Sequence, residues 1–433
     1  MNIVPNYKNP KKFNTAKFPI RQPRYLTALI QVLSKAALLG NTYKIDKVNM
    51  EGLKPPFLLL SNHMAFVDFK LVSKITYPRR VNNVVNVDGF YKREWLLKWI
   101  GAIGTRKFTA DVHLVRSILK CLERGDVISM YPEACYSQAG IPSYLPSALP
   151  LLIKKAGVPV VTVLHRGNHL NNPIWDVKKK RKVPLHTTAT QILTGEQIKS
   201  LSCEEIGTII KDALTYDEYQ YQKDNGILIK EKYRAEGLHK ILYKCPSCKT
   251  EHKMASSGEF LYCQECGKRY EWQENGYLKA TDGETEFDHI PDWFRWEKEE
   301  VRAEIARGEY EFFDDVDVYS LPRTKKFIHL GEGKISHEIE NGFTLTGVYR
   351  GKEYRMERKP IQTYNLHVEY SYPLIKGKRD AVIMSMDDDL FYCFPKKKNV
   401  ITKLTFATQI LFENRENEIK QAKLERRAKA AQV

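Results

Sequence analysis

The chain has no apolar run long enough to cross a bilayer. The best candidate, Tyr25 to Leu39, is interrupted by Gln31, Ser34 and Lys35 and falls short of the roughly 20 apolar residues that a spanning helix needs. A cleavable secretory leader is not expected either, because the first apolar stretch starts late and no convincing cleavage site accompanies it. Cysteine is scarce, at 8 in 433 residues, and Cys121, Cys135, Cys203 and Cys393 show no ligand spacing. A disulfide framework would need an oxidising compartment, for which no leader speaks. Acidic residues are the minority charge: 52 Asp and Glu stand against 69 Lys and Arg, a formal net charge of +17. That imbalance suits an anionic partner, either a nucleic acid or the anionic face of a membrane.

The basic residues lie near apolar segments. Lys178-Lys179-Lys180-Arg181-Lys182 shortly follows Pro173-Ile174-Trp175, and Lys396-Lys397-Lys398 follows a strand-like run. This favours a membrane surface over nucleic acid. Within Tyr25 to Leu39, Leu26, Leu29, Ile30, Leu33 and Ala37 recur at helical spacing, and Lys11, Lys12, Lys17, Arg21 and Arg24 precede them. Two readings stand level: a helix covering the neighbouring domain, or an interfacial helix lying among lipid headgroups.

The strongest chemical signal follows the apolar run Phe57-Leu58-Leu59-Leu60, which reads as a buried strand. Directly after it come Ser61-Asn62-His63-Met64-Ala65-Phe66-Val67-Asp68. A histidine and an aspartate thus sit just past a strand end, where open α/β sheets hold their ligands. An imidazole oriented by a carboxylate can take a proton from a hydroxyl. Further strands are expected over about 43–50, 83–87, 126–131, 158–164 and 187–192. Helices are expected over about 68–75, 95–100, 112–124, 146–156 and 202–214, the last opened by a Ser-Cys-Glu-Glu capping box. Alternating strands and helices predict an α/β sandwich.

Four blocks in order carry a family resemblance. They are the His63–Asp68 block preceded by Asn62, then Gly101-Ala102-Ile103-Gly104-Thr105-Arg106, then Tyr131-Pro132-Glu133-Ala134-Cys135-Tyr136-Ser137, then Val158-Pro159-Val160-Val161. Together they resemble the glycerolipid acyltransferases, specifically the bacterial 1-acylglycerol-3-phosphate acyltransferases of phospholipid biosynthesis. The resemblance spans roughly residues 26–214. It implies a mixed-sheet α/β acyltransferase domain that passes a fatty acyl group from acyl-CoA or acyl carrier protein to a lysophospholipid hydroxyl, at the cytoplasmic face of the membrane. His63 would be the base and Asp68 its partner. Asn62, Arg106, Lys107, Glu133, Tyr136 and Ser137 would hold substrate, with Arg116 a further candidate cation. In the third block the family continues Gly-Thr-Arg-Ser after the glutamate. Here Ala134 replaces that glycine and Tyr136 replaces that arginine, which leaves another lysophospholipid acceptor open. A non-catalytic adaptor binding nucleic acid or protein is the competing reading.

A second signal is independent of the first. Cys245-Pro246-Ser247-Cys248 and Cys263-Gln264-Glu265-Cys266 have the spacing of a four-thiolate structural zinc site. The pattern resembles a zinc ribbon. Its interleaved basic and aromatic residues, such as Lys249, Lys253, Tyr262 and Arg269, suit either docking on the neighbouring domain or single-stranded nucleic acid, and docking is favoured. After Gly308 the texture becomes eight short strands, 316–319, 327–330, 335–339, 343–349, 353–358, 364–370, 381–386 and 390–394, then a charged helix from 402. This predicts an all-β, barrel-like domain closed by a C-terminal helix, with a pleckstrin-homology-like outline. The expected organisation is therefore a basic segment and amphipathic helix (1–42), the acyltransferase domain (43–238), the ribbon (239–275), a linker helix (276–310) and the β-rich domain (311–433).

Overall fold

The computed structural model describes residues 3–5, 7, 13–109, 111–375, 377, 380–386 and 388–430, with side chains to residue 426. Lys11 and Lys12 of the basic segment lie outside the described residues.

The first sheet is built from β1 (Tyr43–Val48), β2 (Phe57–Ser61), β3 (Val81–Asn86), β4 (Ile103–Thr105), β5 (Val127–Met130), β6 (Val160–Arg166) and β7 (Leu185–Leu193). They lie in the order β1-β7-β6-β2-β5-β3-β4. All neighbours are parallel except β6 and β7. The central strand β2 is buried along its whole length. Strand pleating turns successive side chains to opposite faces. Phe57 and Leu59 therefore pack with Val72, Ile75 and Val163, while Leu58 and Leu60 pack with Ile118, Ile153 and Ile206 on the other side. A strand with a core on both faces has no polar side to show, which explains its unbroken apolar run.

The second sheet is small and antiparallel: β8 (Met254–Ser257), β9 (Phe260–Cys263), β10 (Arg269–Trp272) and β11 (Leu278–Ala280), ordered β11-β10-β9-β8. It is tied to the first unit, since Trp272 packs on Trp175 and Tyr219 and its carbonyl accepts from Arg234 Nε. It is equally tied to the C-terminal part of the chain. The indole of Trp293, on the helix Ile290–Ala306, donates to the Lys244 carbonyl at 3.0 Å, and Lys403 pairs with Glu251 at 2.7 Å.

The third sheet holds β12 (Glu311–Ser320), β13 (Ile328–Glu338), β14 (Gly342–Tyr349), β15 (Lys352–Arg358), β16 (His367–Glu369), β17 (Ala381–Ser385) and β18 (Leu390–Pro395). Its order is β15-β14-β13-β12-β18-β17-β16, antiparallel throughout. Two expectations are corrected here. The stretches 327–330 and 335–339 are one strand, because the extra residue at Leu330 is absorbed as a bulge opposite Val318 and Tyr319, beside Gly331 at φ 92°. The sheet is also open rather than barrel-like: β15 and β16 are its two edges, and Ile3 covers β15 through paired hydrogen bonds with Arg355. The helix Ile401–Ala430 comes after β18, with Leu404, Phe406, Ile410 and Leu411 in the shared core.

Both extra sheets share cores with the first unit. One core joins Trp175 and Tyr219 to Leu261, Trp293, Phe391 and Phe406. Another joins Phe13, Leu26 and Phe90 to Tyr372, Ile383 and Tyr392. The third sheet is thereby packed beside the end of β3 and the start of β4, through Val87, Phe90 and Ala102.

Candidate active site and cysteine cluster

Strand β2 ends at Ser61, and the chain turns into the helix Asp68–Thr76. The turn is fixed from the Asp68 side. Its Oδ2 accepts from the amides of Met64 at 2.7 Å and Ala65 at 3.0 Å, and lies 3.1 Å from His63 Nδ1. Its Oδ1 accepts from the Asn168 amide at 2.7 Å. Asn168 arrives from the end of β6 through Gly167, at φ 79°, where a Cβ would stand 2.2 Å from the Pro184 carbonyl oxygen. Burial alone would raise the Asp68 carboxyl, but His165, His63 and Asn168 hold it below the ordinary carboxylate value. With Asp68 ionised, His63 Nδ1 is the donor and Nε2 carries the lone pair.

The imidazole of His63 lies between two phenol rings, Tyr131 and Tyr136, each with its centroid 3.9 Å away. Burial lowers its pKa below the ordinary 6.5, and Asp68 opposes that shift. The ring is thus neutral near pH 7. The ammonium of Lys107 acts on the same space, pushing His63 further down, while the half-buried Glu369 carboxylate of β16 pulls the other way.

The remaining predicted residues mostly brace this arrangement. Asn62 is fully buried, and its amide is taken up by the backbone of His165, accepting from the amide at 2.8 Å and donating to the carbonyl at 3.0 Å. It locks the ends of β2 and β6 together. Glu133 is also buried; its carboxyl accepts from Ser143 N at 2.8 Å and from the Tyr216 hydroxyl at 3.2 Å, and burial pushes its pKa up to about 8. It thereby fastens the loop 134–144 to Tyr216. Ser137 donates its amide to the His63 carbonyl and its hydroxyl to the Ile141 carbonyl, both at 2.7 Å. Arg106 is buried, with Nη2 3.4 Å from the Phe13 carbonyl oxygen. Arg116 lies on the helix Val112–Glu123. Ala134 has φ 55°, a left-handed conformation that suits glycine better.

Sequence reasoning missed Asn168, Tyr131, Tyr216 and everything the third sheet contributes. A polar run closing a buried strand, here His165-Arg166-Gly167-Asn168 at the end of β6, is the same kind of signal that marked His63. Parallel pairing of β2 with β6 brings the two strand ends together. The third sheet contributes Asn365, which donates to Ser143 Oγ at 3.0 Å and Cys135 Sγ at 3.4 Å, and Tyr370, which accepts from Gln138 at 2.6 Å.

The four paired cysteines converge: their Sγ atoms all lie within 4.8 Å of one another. Cys245 to Cys266 is 3.8 Å and Cys248 to Cys263 is 3.7 Å, too long for disulfides. Zn–S bonds of roughly 2.3 Å in a tetrahedron place sulfurs about 3.8 Å apart, so the cluster fits a zinc ion. Each pair forms a matching turn. Lys249 N donates to Cys245 O at 3.0 Å and Gly267 N to Cys263 O at 3.1 Å, with Lys249 at φ 62° and Gly267 at φ 76°.

No described helix is long and apolar enough to cross a membrane. One face of the helix Arg24–Ala37 is nonetheless uncovered: Tyr25, Leu29, Val32 and Leu33 are exposed, as are Trp95 and Trp99 on the helix Glu94–Trp99. Tyr25 and Trp99 are in edge contact, at 6.0 Å, and Phe66, three residues from His63, is exposed too.

No protein family matches the chain, and no curated protein does. Among solved structures, it is similar to the 1-acyl-sn-glycerophosphate acyltransferase of Thermotoga maritima, with 16% identity and a TM-score of 0.36, over 44% of this chain and 77% of that one.

Proposed function

We propose that this chain is a membrane-associated acyltransferase. It moves a fatty acyl group from a thioester of coenzyme A or acyl carrier protein to the free hydroxyl of 1-acylglycerol-3-phosphate, giving phosphatidic acid. The observation that carries the reading is the neutral His63 imidazole, held by Asp68 at 3.1 Å and sandwiched between Tyr131 and Tyr136.

In this mechanism His63 Nε2 takes the proton from the acceptor hydroxyl as its oxygen attacks the thioester carbonyl carbon. Asp68 stabilises the imidazolium that forms. The tetrahedral oxyanion then collapses and the carbon–sulfur bond breaks. The proton on Nε2 passes to the departing thiolate, so an ester and a free thiol leave and His63 is neutral again. The lysolipid supplies the nucleophile, so no enzyme nucleophile is needed. Lys107, whose charge acts on His63, is the cation assigned to the acceptor phosphate, with Arg106 beside it in the chain. Tyr136, where an arginine would strengthen phosphate binding, favours a second acceptor of the same class, another lysophospholipid.

The apolar face of Tyr25, Leu29, Val32 and Leu33, with Trp95 and Trp99 beside it, supports peripheral attachment to an anionic, cytoplasmic membrane face, given the net charge of +17. The cysteine cluster, when it holds zinc, supplies cross-linking of the fold rather than chemistry, because four thiolates leave no open coordination position. The test is transfer from a radiolabelled acyl thioester to lysophosphatidic acid in vesicles, by wild type and His63→Ala. Product from wild type alone upholds the reading. Equal product from both removes His63 from the mechanism, and no product on any lysophospholipid overturns the function.

A further inference from the structure

A cavity of about 300 Å³ opens where the loop 134–144 meets the third sheet, the helix Ile290–Ala306 and the helix Ile401–Ala430. Tyr136 belongs to both this cavity and the His63 site, since its ring packs on the imidazole at 3.9 Å and lines the cavity. About half of the wall comes from outside the first sheet's own unit.

The lining chemistry is unusual for a lipid chain. Three carboxamides, Gln138, Asn365 and Gln409, face the cavity among Phe294, Leu366 and Phe406. They are linked into a fixed frame. Gln409 donates to Asn365 at 3.0 Å, Asn365 to Ser143 at 3.0 Å, Gln138 to Tyr370 at 2.6 Å, and Lys298 to Gln409 at 2.8 Å. Full charges are confined to the more exposed side: Lys298 and Glu413 face each other at 3.8 Å, and Arg295 pairs with Asp292. Beyond these bonds Gln138 and Gln409 each keep a second amide hydrogen and a carbonyl lone pair, which an alkyl chain would cover without using. A phosphate or carboxylate would find its cations, Lys298 and Arg295, at that more exposed side, and the amides of Gln409 and Asn365 deeper in. The walls suit a slender ligand that alternates amides with short apolar links.

Resting on the acyl-transfer reading above, we propose that this cavity binds the amide-bearing arm of a pantetheine thioester, with its reactive end at Tyr136 and its carrier outside, past Lys298. Coenzyme A and acyl carrier protein share that arm. The third sheet and the C-terminal helix would then build the donor site, which the first sheet's unit does not complete alone.

The test uses the full chain and two thioethers that cannot transfer an acyl group, S-hexadecyl-pantetheine and S-hexadecyl-coenzyme A, titrated by calorimetry. Both are expected to bind, and Gln138→Leu and Gln409→Leu each to weaken binding about tenfold by removing one hydrogen bond. A diazirine-bearing pantetheine thioether, crosslinked to wild type and mapped by mass spectrometry, is expected to mark residues 135–144 or 365–368; this arm does not depend on a variant folding. Equal affinity of the two thioethers identifies a protein carrier as the source, whereas clearly tighter binding of the coenzyme A form identifies the nucleotide. Binding by neither, or adducts elsewhere with unchanged affinity in both variants, overturns the proposal even if acyl transfer is observed. Binding and crosslinking in the cavity without transfer to any lysophospholipid would instead overturn the acyl-transfer reading and leave the cavity assignment standing.

Discussion

The side-chain amide of Asn365 donates to the hydroxyl of Ser143 at 3.0 Å, joining the third sheet to the loop that carries Tyr136. The amide of Ser143 in turn donates to Glu133. A chain of hydrogen bonds therefore runs from the C-terminal helix, through Gln409 and Asn365, to the floor of the His63 site. Asn365 is fully buried, and Asn365→Leu would leave Ser143 and Gln409 without this partner. The expected cost is about 1–3 kcal/mol of stability, together with a fall in turnover as Tyr136 loses its support. Thermal unfolding and acyl-transfer kinetics on one preparation check both. A variant with lower stability and unchanged turnover would separate the sheet from the chemistry.

Removing the base is expected to cost far more than disturbing its support. His63→Ala should lower turnover by at least about a thousandfold, and Asp68→Asn by a comparable factor, because an amide does not fix the donor tautomer of Nδ1. Both variants should bind vesicles like wild type. A loss below tenfold for His63→Ala would rule out its part as base.

Under the proposed mechanism the same pair sets the pH profile. A base works unprotonated, so activity is present above the His63 pKa and is lost as pH falls through it. Burial sets that pKa below 6.5, so the acid limb should fall below pH 6.5 and the rate should be flat from there to neutrality. Asp68→Asn removes the group that raises the pKa, so its limb should move to still lower pH. A limb above pH 7 would contradict the buried, neutral imidazole.

Much of this was legible because each unit has its own local pattern. Strand β2 had to be apolar throughout, since both of its faces are covered, and nothing in the strand itself asked for the polar residues after it. The cysteine pairs stand at the spacing that brings four sulfurs within 4.8 Å of one another, as one ion would require. What stayed hidden depends on contacts far apart in the chain. Nothing near Asn168 shows that β6 lies beside β2, and nothing near Asn365 shows that its strand covers the loop 134–144. The eight expected strands became seven because a bulge at Leu330 looks, from its neighbours, like a turn at Gly331. The expected closure into a barrel failed for a similar reason: strand spacing says nothing of which edges meet.

Glu133 offers a test on stability rather than rate. Burial raises its pKa from 4.5 to about 8, so the fold favours the protonated carboxyl. That contribution is complete below the unfolded value near 4.5 and is lost as pH rises through about 8. Glu133→Gln keeps an acceptor for Ser143 and Tyr216 and cannot ionise. The melting temperature of the variant, relative to wild type, should therefore rise steadily between pH 5 and pH 8.5. A difference that does not change with pH would show Glu133 to be ionised in the fold across this range.

The cysteine cluster should hold about one zinc per chain. Because Leu261 and Trp272 share a core with Trp175, Trp293 and Phe406, losing the ion should loosen that shared core as well as the small sheet. Cys263→Ser, or a strong chelator, is expected to lower the melting temperature and to expose tryptophans, seen as a red shift of fluorescence. Turnover should fall with the folded fraction and return on adding zinc. Full activity in a stable, metal-free protein would remove the ion from the fold.

The uncovered face of the helix Arg24–Ala37 predicts where lipid is met. Leu29, Val32 and Trp95 are exposed by 50%, 63% and 67%, so replacing any of them changes little inside the fold. Burying one such side chain among acyl chains contributes about 1.5–3 kcal/mol, so Val32→Asp or Trp95→Asp should weaken binding to anionic vesicles about tenfold or more, with the melting temperature unchanged. Raising the salt concentration should weaken wild type as well, because basic residues share the attachment. Transfer to a lysolipid in vesicles should fall in these variants, while transfer to a short-chain, water-soluble acceptor should not. If both acceptors lose equally, the face belongs to the catalytic fold and not to the membrane.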